Sequence, residues 1–243
     1  MILLLAACTI VEGNGVLVTE SRDVEGVTSL SSTMFVDVRV TPAAEASAEL
    51  TCDENLLEHI RTDVVDGELT LRSEPDVFLD SSGACLLDLR APCLRSIASS
   101  GSGQVFSEDV LCSTESLHSS GSGGISLAGV SSEDLSLHGS GSGAVDAGVL
   151  DVGALDVHFS GSGGGSASGV CGDADVHLSG SGGFMAQGLT CETATITVSG
   201  SGGVELTVTG TADVTTSGSG GVDLWGGALV NSNSTGSGDV TAH

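Results

Sequence analysis

The sequence contains no lysine and no tyrosine, three prolines, one tryptophan and five phenylalanines in 243 residues. Its six basic residues are all arginines and face 32 acidic ones, a formal net charge of −26. Each shortage excludes something. A nucleic-acid binder needs a basic footprint to neutralise phosphates, and none exists. Collagen needs abundant proline in strict triplets. No apolar run reaches the roughly 18 residues that a membrane-crossing helix requires. No CxxC pair occurs, which argues against thioredoxin-like chemistry and zinc ribbons, and the calcium-binding nonapeptide repeat is absent.

Glycine, by contrast, is abundant, at 37 residues. With serine it suggests a flexible linker. Yet 40% of the chain is hydrophobic, with a mean hydropathy of +0.30, and the glycines keep a period. Ser-Gly-Ser-Gly recurs with its first glycine at Gly101, Gly121, Gly141, Gly161, Gly180, Gly200 and Gly218, and Thr-Gly-Ser-Gly adds Gly236. The spacings are 20, 20, 20, 19, 20, 18 and 18. A linker has no reason to hold such a repeat.

Apolar residues hold the same phase. Val105, Ile125, Val145, Gly165, Phe184, Val204, Val222 and Val240 follow each first glycine by four positions. Leu117, Leu137, Val157, Val176, Ile196 and Val214 precede it by four. Polar residues alternate around them, the period of a strand. A coil of 18–20 residues has no room for a helix with its connections, but it holds two or three short strands and tight turns. One such coil cannot bury its apolar side alone, whereas stacking coils about 4.8 Å apart buries it in continuous columns. The expected fold is therefore all-β: a single-stranded parallel β-helix, a right-handed solenoid with glycine corners. Glycine suits a corner through positive φ and through close backbone approach.

Three stretches follow in chain order. Residues 1–8 read as a truncated lipoprotein signal. Leu5-Ala6-Ala7-Cys8 resembles a lipobox with Cys8 as the lipidated residue, although the basic start and the long apolar region of a signal peptide are missing; a short apolar first strand is the alternative. Residues 9–95 carry strand patterning without the SGSG signature. They read as irregular coils capping the solenoid, or as a small separate domain, with one helical turn within Asp53–Ile60. Residues 96–243 are the repeat. Its last coil stops at His243 without an evident cap, so a polar tail or end-to-end association with another subunit is expected to cover it.

The repeat also stacks polar side chains. His118, His138, His158 and His177 each stand three residues before a corner glycine, and Asp156 and Asp175 lie two residues before the last two. Imidazoles and carboxylates so placed are candidate ligands for Zn²⁺, or for Ca²⁺ on surface ladders. They are also a candidate pH switch, or simply an exposed polar ladder. Stacked aspartates could serve a retaining glycosidase, whose carboxyl groups stand about 5–5.5 Å apart. A polyanionic substrate, however, would be repelled.

If Cys8 is lipidated, six cysteines remain, an even set suited to an oxidising compartment. Cys171 and Cys191 both precede a corner glycine by nine residues and would be direct neighbours, within disulfide reach. Cys112 shares that column but lies three coils away, so Cys93 is its nearer partner. Cys52 with Cys85 follows by elimination. Stacked buried thiols are the alternative.

The chain resembles the bacterial head GIN domain family, described as auto-transporter adhesins. Gly13-Asn14-Gly15 with Glu20 to Gly26, Asn55 to Ile60 with Asp66 to Leu69, and Ala91 to Leu94 leading into Ser100-Gly101-Ser102-Gly103 carry the resemblance. It implies a pectin-lyase-like β-helix, an exported location, a role in adhesion and no catalytic residues. The expected function is a non-enzymatic cell-envelope protein, periplasmic or anchored to the outer membrane by lipid alone, whose partner is a protein or glycan of the envelope or surface. A carbohydrate-binding or glycosidase-like protein is the alternative.

Overall fold

The computed structural model describes residues 9–243; the lipobox-like Leu5 to Cys8 lies outside the described residues. The chain forms a β-solenoid of about seven turns with coils of about 20 residues. One 18-stranded sheet winds through it, and a parallel pair, Thr9–Glu12 with Val77–Asp80, stands beside it. Among the described residues the one helical piece is a 3-10 turn at Leu57–His59, and no helix is long and apolar enough to cross a membrane.

Like residues sit over like. Leu117, Leu137, Val157, Val176, Ile196 and Val214 are in-register neighbours on successive coils, and all are buried. The column from Val105 to Val222 runs parallel to it and is broken only at Gly165. The Phe159 ring fills that gap. A Cβ on Gly165 or on Gly139 would meet the ring, so two glycines on neighbouring coils make room for one large side chain.

The repeat coils differ from the expected short strands. From Ile125 to Thr216 each coil carries one unbroken strand of 13–15 residues, such as Ile125–Gly139 and Val145–Phe159, and the last coils return to short strands, such as Val222–Trp225 and Leu229–Ser234. The ladder continues around the bend because register shifts absorb the turn, as between Asp146 and Val149, beside Gly148 at φ 66°.

The corners differ too, in the reason for their glycines. None of the SGSG glycines has positive φ. The carbonyl of each first glycine instead points along the stack and accepts two N–H groups of the next coil. Gly121 O accepts from Ser142 and Gly143, each at 3.1 Å, and Gly141 O does the same from Ser162 and Gly163. A Cβ on Gly141, Gly161 or Gly200 would occupy the place of the oxygen below. Close approach alone therefore demands glycine.

The N-terminal region does not stack in chain order. Ser29–Ser32 lies between Glu68–Ser73 and Ser96–Ser99, and Asp37–Pro42 lies between Leu86–Ala91 and Val105–Cys112. The coil of residues 29–42 is thus sandwiched between two later ones. The chain climbs past it through Pro92 to Arg95, where Arg95 N donates to Thr28 O at 2.8 Å. Below this stack the strands turn antiparallel. Ser47–Asp53 pairs with Leu86–Ala91, Leu17–Arg22 pairs with Ser47–Asp53, and Ile60–Val65 pairs with Glu68–Ser73. Paired charges mark these edges, with Arg22 to Glu20 at 2.9 Å and Arg72 to Asp63 at 2.8 Å. Such charges oppose further strand addition.

Asp53 ties this base together. It is buried and accepts from Gly15 N (2.7 Å), Ser82 N (3.0 Å), Ser82 Oγ (2.6 Å) and Ser81 Oγ (3.0 Å). The Ser82 hydroxyl leads in holding its carboxyl below the ordinary range; burial opposes this, and the Ser82 and Gly15 N–H groups and Ser81 add to it. Gly13 passes so close that a Cβ there would strike the Asp53 carboxylate.

Two predictions follow from this packing. Gly161→Ala should cost about 1–3 kcal/mol or more in urea unfolding, the range for forced overpacking. Gly221→Ala should cost little by comparison, because its Cβ would meet nothing closer than 3.5 Å. For Asp53 the folded pKa is depressed, so its contribution is complete above the ordinary value of about 4 and is lost as pH falls through the folded value. Melting curves at falling pH should show Asp53→Asn destabilised at neutral pH, with its gap to the native chain closing in acid.

Candidate functional site

The histidine column lies on one wall of the solenoid. His118 pairs in register with His138, His138 with His158, His158 with His177, and Thr197 and Thr215 continue the line. The rings of His138 and His158 stack at 5.3 Å and 4°, and those of His158 and His177 at 4.8 Å and 3°. His118 is tilted by 49° at 6.1 Å. The strand spacing therefore sets the ring spacing.

A second polar column fixes the orientation of the rings. Asp156 Oδ1 lies 2.9 Å from His158 Nε2, Asp175 Oδ1 lies 3.0 Å from His177 Nε2, and Ser136 Oγ lies 2.7 Å from His138 Nε2. An ionised carboxylate can only accept, so Nε2 carries the proton at His158 and His177. The imidazoles border a groove of about 230 Å³ together with Ser140, Ser160 and Ser179. Asp156 and Asp175 border a separate groove of about 440 Å³ with Glu115, Asp134 and Asp173. One face of the ladder thus offers imidazole and hydroxyl groups, and the other offers carboxylates.

This geometry bears on the chemistry expected of the ladder. A metal bound by imidazole sits in the ring plane at about 2.0–2.1 Å from nitrogen. Two parallel rings 4.8 Å apart cannot both aim at one ion, and Nε2 is already engaged by aspartate. Among the described residues, three potential ligand atoms converge only at Cys52, Asp53 and Cys85, and there the two sulfurs are bonded to each other. Asp156 and Asp175 are register neighbours, each tied to its own histidine on an open wall.

Among the described residues three disulfides are present. Cys171 and Cys191 join adjacent coils in register with Cα atoms 4.5 Å apart. Cys93 and Cys112 lie 5.8 Å apart and tack the climbing segment to the strand Val105–Cys112. Cys52 and Cys85, 4.4 Å apart, lock the base beside Asp53. Spacing alone could not reveal what the second bond does, because the sandwiched coil it spans leaves no mark in the repeat. Asp53 was also missed as a structural hub; its only signal was a carboxylate beside a turn-forming sequence.

A family model described as "Putative auto-transporter adhesin, head GIN domain" matches residues 28–228. The chain belongs to this family. No curated protein matches it. Solved structures share the fold of this head GIN domain. A putative adhesin from Parabacteroides merdae is 21% identical with a TM-score of 0.87, over 97% of this chain and 99% of that one. A putative lipid binding protein from Parabacteroides distasonis is 20% identical with a TM-score of 0.89, over 97% and 100%. A putative adhesin from the same organism is 20% identical with a TM-score of 0.84, over 96% and 100%. The family description names adhesion and no enzymatic activity. The disulfides and this membership point to an extracytoplasmic protein.

The ladder of this head GIN domain has one titration signature. Burial lowers the pKa of His138, the neighbouring charges of His158 and His118 lower it further, and Asp156 opposes them. A lowered imidazole pKa means that the unfolded chain binds the proton first. The stability contribution is then complete above the ordinary value of about 6.5 and is lost as pH falls through the folded value. Melting temperatures measured from pH 7.5 down to 5 should therefore fall, and His138→Gln should flatten that slope.

Proposed function

We propose that this head GIN domain is an exported, lipid-anchored envelope protein that binds a surface component, protein or glycan, through its polar ladder wall. The observation that carries the reading is the ladder itself. Oriented His–Asp pairs repeat at strand spacing on an open wall, so the groups stand in parallel and do not converge on one reacting atom. The family's description as adhesins supports binding, and the disulfides support export. Lipobox-like Leu5 to Cys8 supports the anchor. We take the coils to wind right-handed, as in pectin lyases, because parallel crossover connections run that way in nearly all cases.

A glycan array and a pull-down from envelope extracts test the reading. Asp156→Ala combined with Asp175→Ala should free the rings and reduce binding at least about tenfold, the equivalent of about 1.4 kcal/mol. Undiminished binding by a folded double variant would move the site off this wall. Release of sugars from any bound glycan would instead favour a carbohydrate-active protein.

A further inference from the structure

The base of the solenoid carries a feature that adhesion does not use. Among the described residues ten large apolar side chains are exposed, and five of them are Ile10, Val16, Leu17, Val65 and Phe78. Among the described residues the strands Thr9–Glu12, Leu17–Arg22 and Ile60–Val65 each have a partner on one side only, and they form the outer rim of the N-terminal end. Ile10, Leu17 and Val65 lie on those strands. Ile10 is the register partner of Phe78 across the small parallel pair, and the two are 66% and 62% exposed. Adjacent residues of a parallel pair project from the same face, so these two make one apolar knob. In a chain with five phenylalanines, leaving one so exposed is a choice of placement.

The knob stands next to the expected anchor. Thr9 opens the strand that carries Ile10, and Cys8 is the residue before it. We propose that the base of the solenoid, led by Ile10 and Phe78, docks on the lipid surface to which Cys8 is anchored. This rests on the lipid-anchor reading above. A lipid anchor at Cys8 would hold Ile10, two residues on, at the bilayer surface, where an exposed apolar pair gains by burial in the acyl boundary. The rim also holds Arg22 and Arg61, while no arginine lies beyond Arg95. Both are already paired, Arg22 with Glu20 and Arg61 with Glu74, so they bring no free cation to the lipid surface. Glu12, Asp76 and Asp80 flank the knob, so the favoured surface is zwitterionic, because anionic lipid repels carboxylates. Trp225 lies on the last coils, at the other end of the stack from the knob.

Cys8 is the one cysteine outside the three disulfides, so its thiol can be coupled to a maleimide lipid in phosphatidylcholine vesicles. The full chain so tethered is compared in two forms. One keeps Trp225; the other carries Trp225→Phe with Phe78→Trp. With brominated acyl chains in the vesicles, the Phe78→Trp form should lose most of its emission and shift to the blue, while native Trp225 should lose almost none. Equal quenching of both forms, or of neither, overturns the docking. If Phe78→Trp fails to fold by circular dichroism, Ile10→Trp replaces it under the same criteria. Mass spectrometry of the protein from its own membranes tests separately whether Cys8 is acylated. An unmodified Cys8 removes the anchor without deciding the vesicle result.

Discussion

The structure depends on one contact repeated up the stack. At each SGSG corner a glycine carbonyl aims at the coil above and receives two of its N–H groups. The oxygen then occupies the space that a Cβ would need. The bond and the prohibition are the same fact: a corner that lets two amides converge on one oxygen must bring that oxygen against the next α-carbon. Glycine follows from this at every level, and with it the period that is visible in the sequence. Buried columns of Leu, Val and Ile supply most of the favourable free energy. The corners decide which residue lies over which.

Once the phase is fixed, the rest propagates. Histidine lands on histidine and cysteine on cysteine because their distances from the glycines are equal. Deviations need local repair, and the repair is visible at Phe159. A ring in a column of smaller side chains is accommodated by Gly139 on one neighbouring coil and Gly165 on the other. The sequence shows Gly165 only as a gap in an apolar column. The ring that fills the gap is six residues earlier in the chain, where no rule of alternation would look for it.

This difference explains what could be read in advance. Repeat length, strand alternation, the buried columns and the histidine column all follow from phase, and phase is written in glycine. The reason for glycine was only half legible. Positive φ and close approach leave the same mark on a sequence, and at the SGSG corners only close approach operates. The N-terminal coils have no such phase mark. That residues 29–42 are inserted between two later coils depends on long-range pairing, and pairing between distant strands leaves little local trace. Asp53 was illegible for a related reason. Its partners Gly15, Ser81 and Ser82 are ordinary turn residues far apart in the chain, brought together by the antiparallel base.

The repeated wall also limits what the molecule can do. A catalytic centre needs unlike groups pointing inward at one place. A ladder gives like groups pointing outward, separated by the strand spacing. Parallel imidazoles cannot share an ion in their planes, and their Nε2 protons are already given to aspartates or shared with a serine. What remains is an edge with the same donor and acceptor pattern at every coil. Such an edge gains little from a small ligand, which meets one rung. It gains from an extended partner whose own repeat meets several rungs, because each contact after the first is made at high effective concentration. If the wall binds as proposed, the corner that dictates glycine also dictates the kind of recognition: periodic, shallow and summed along the axis.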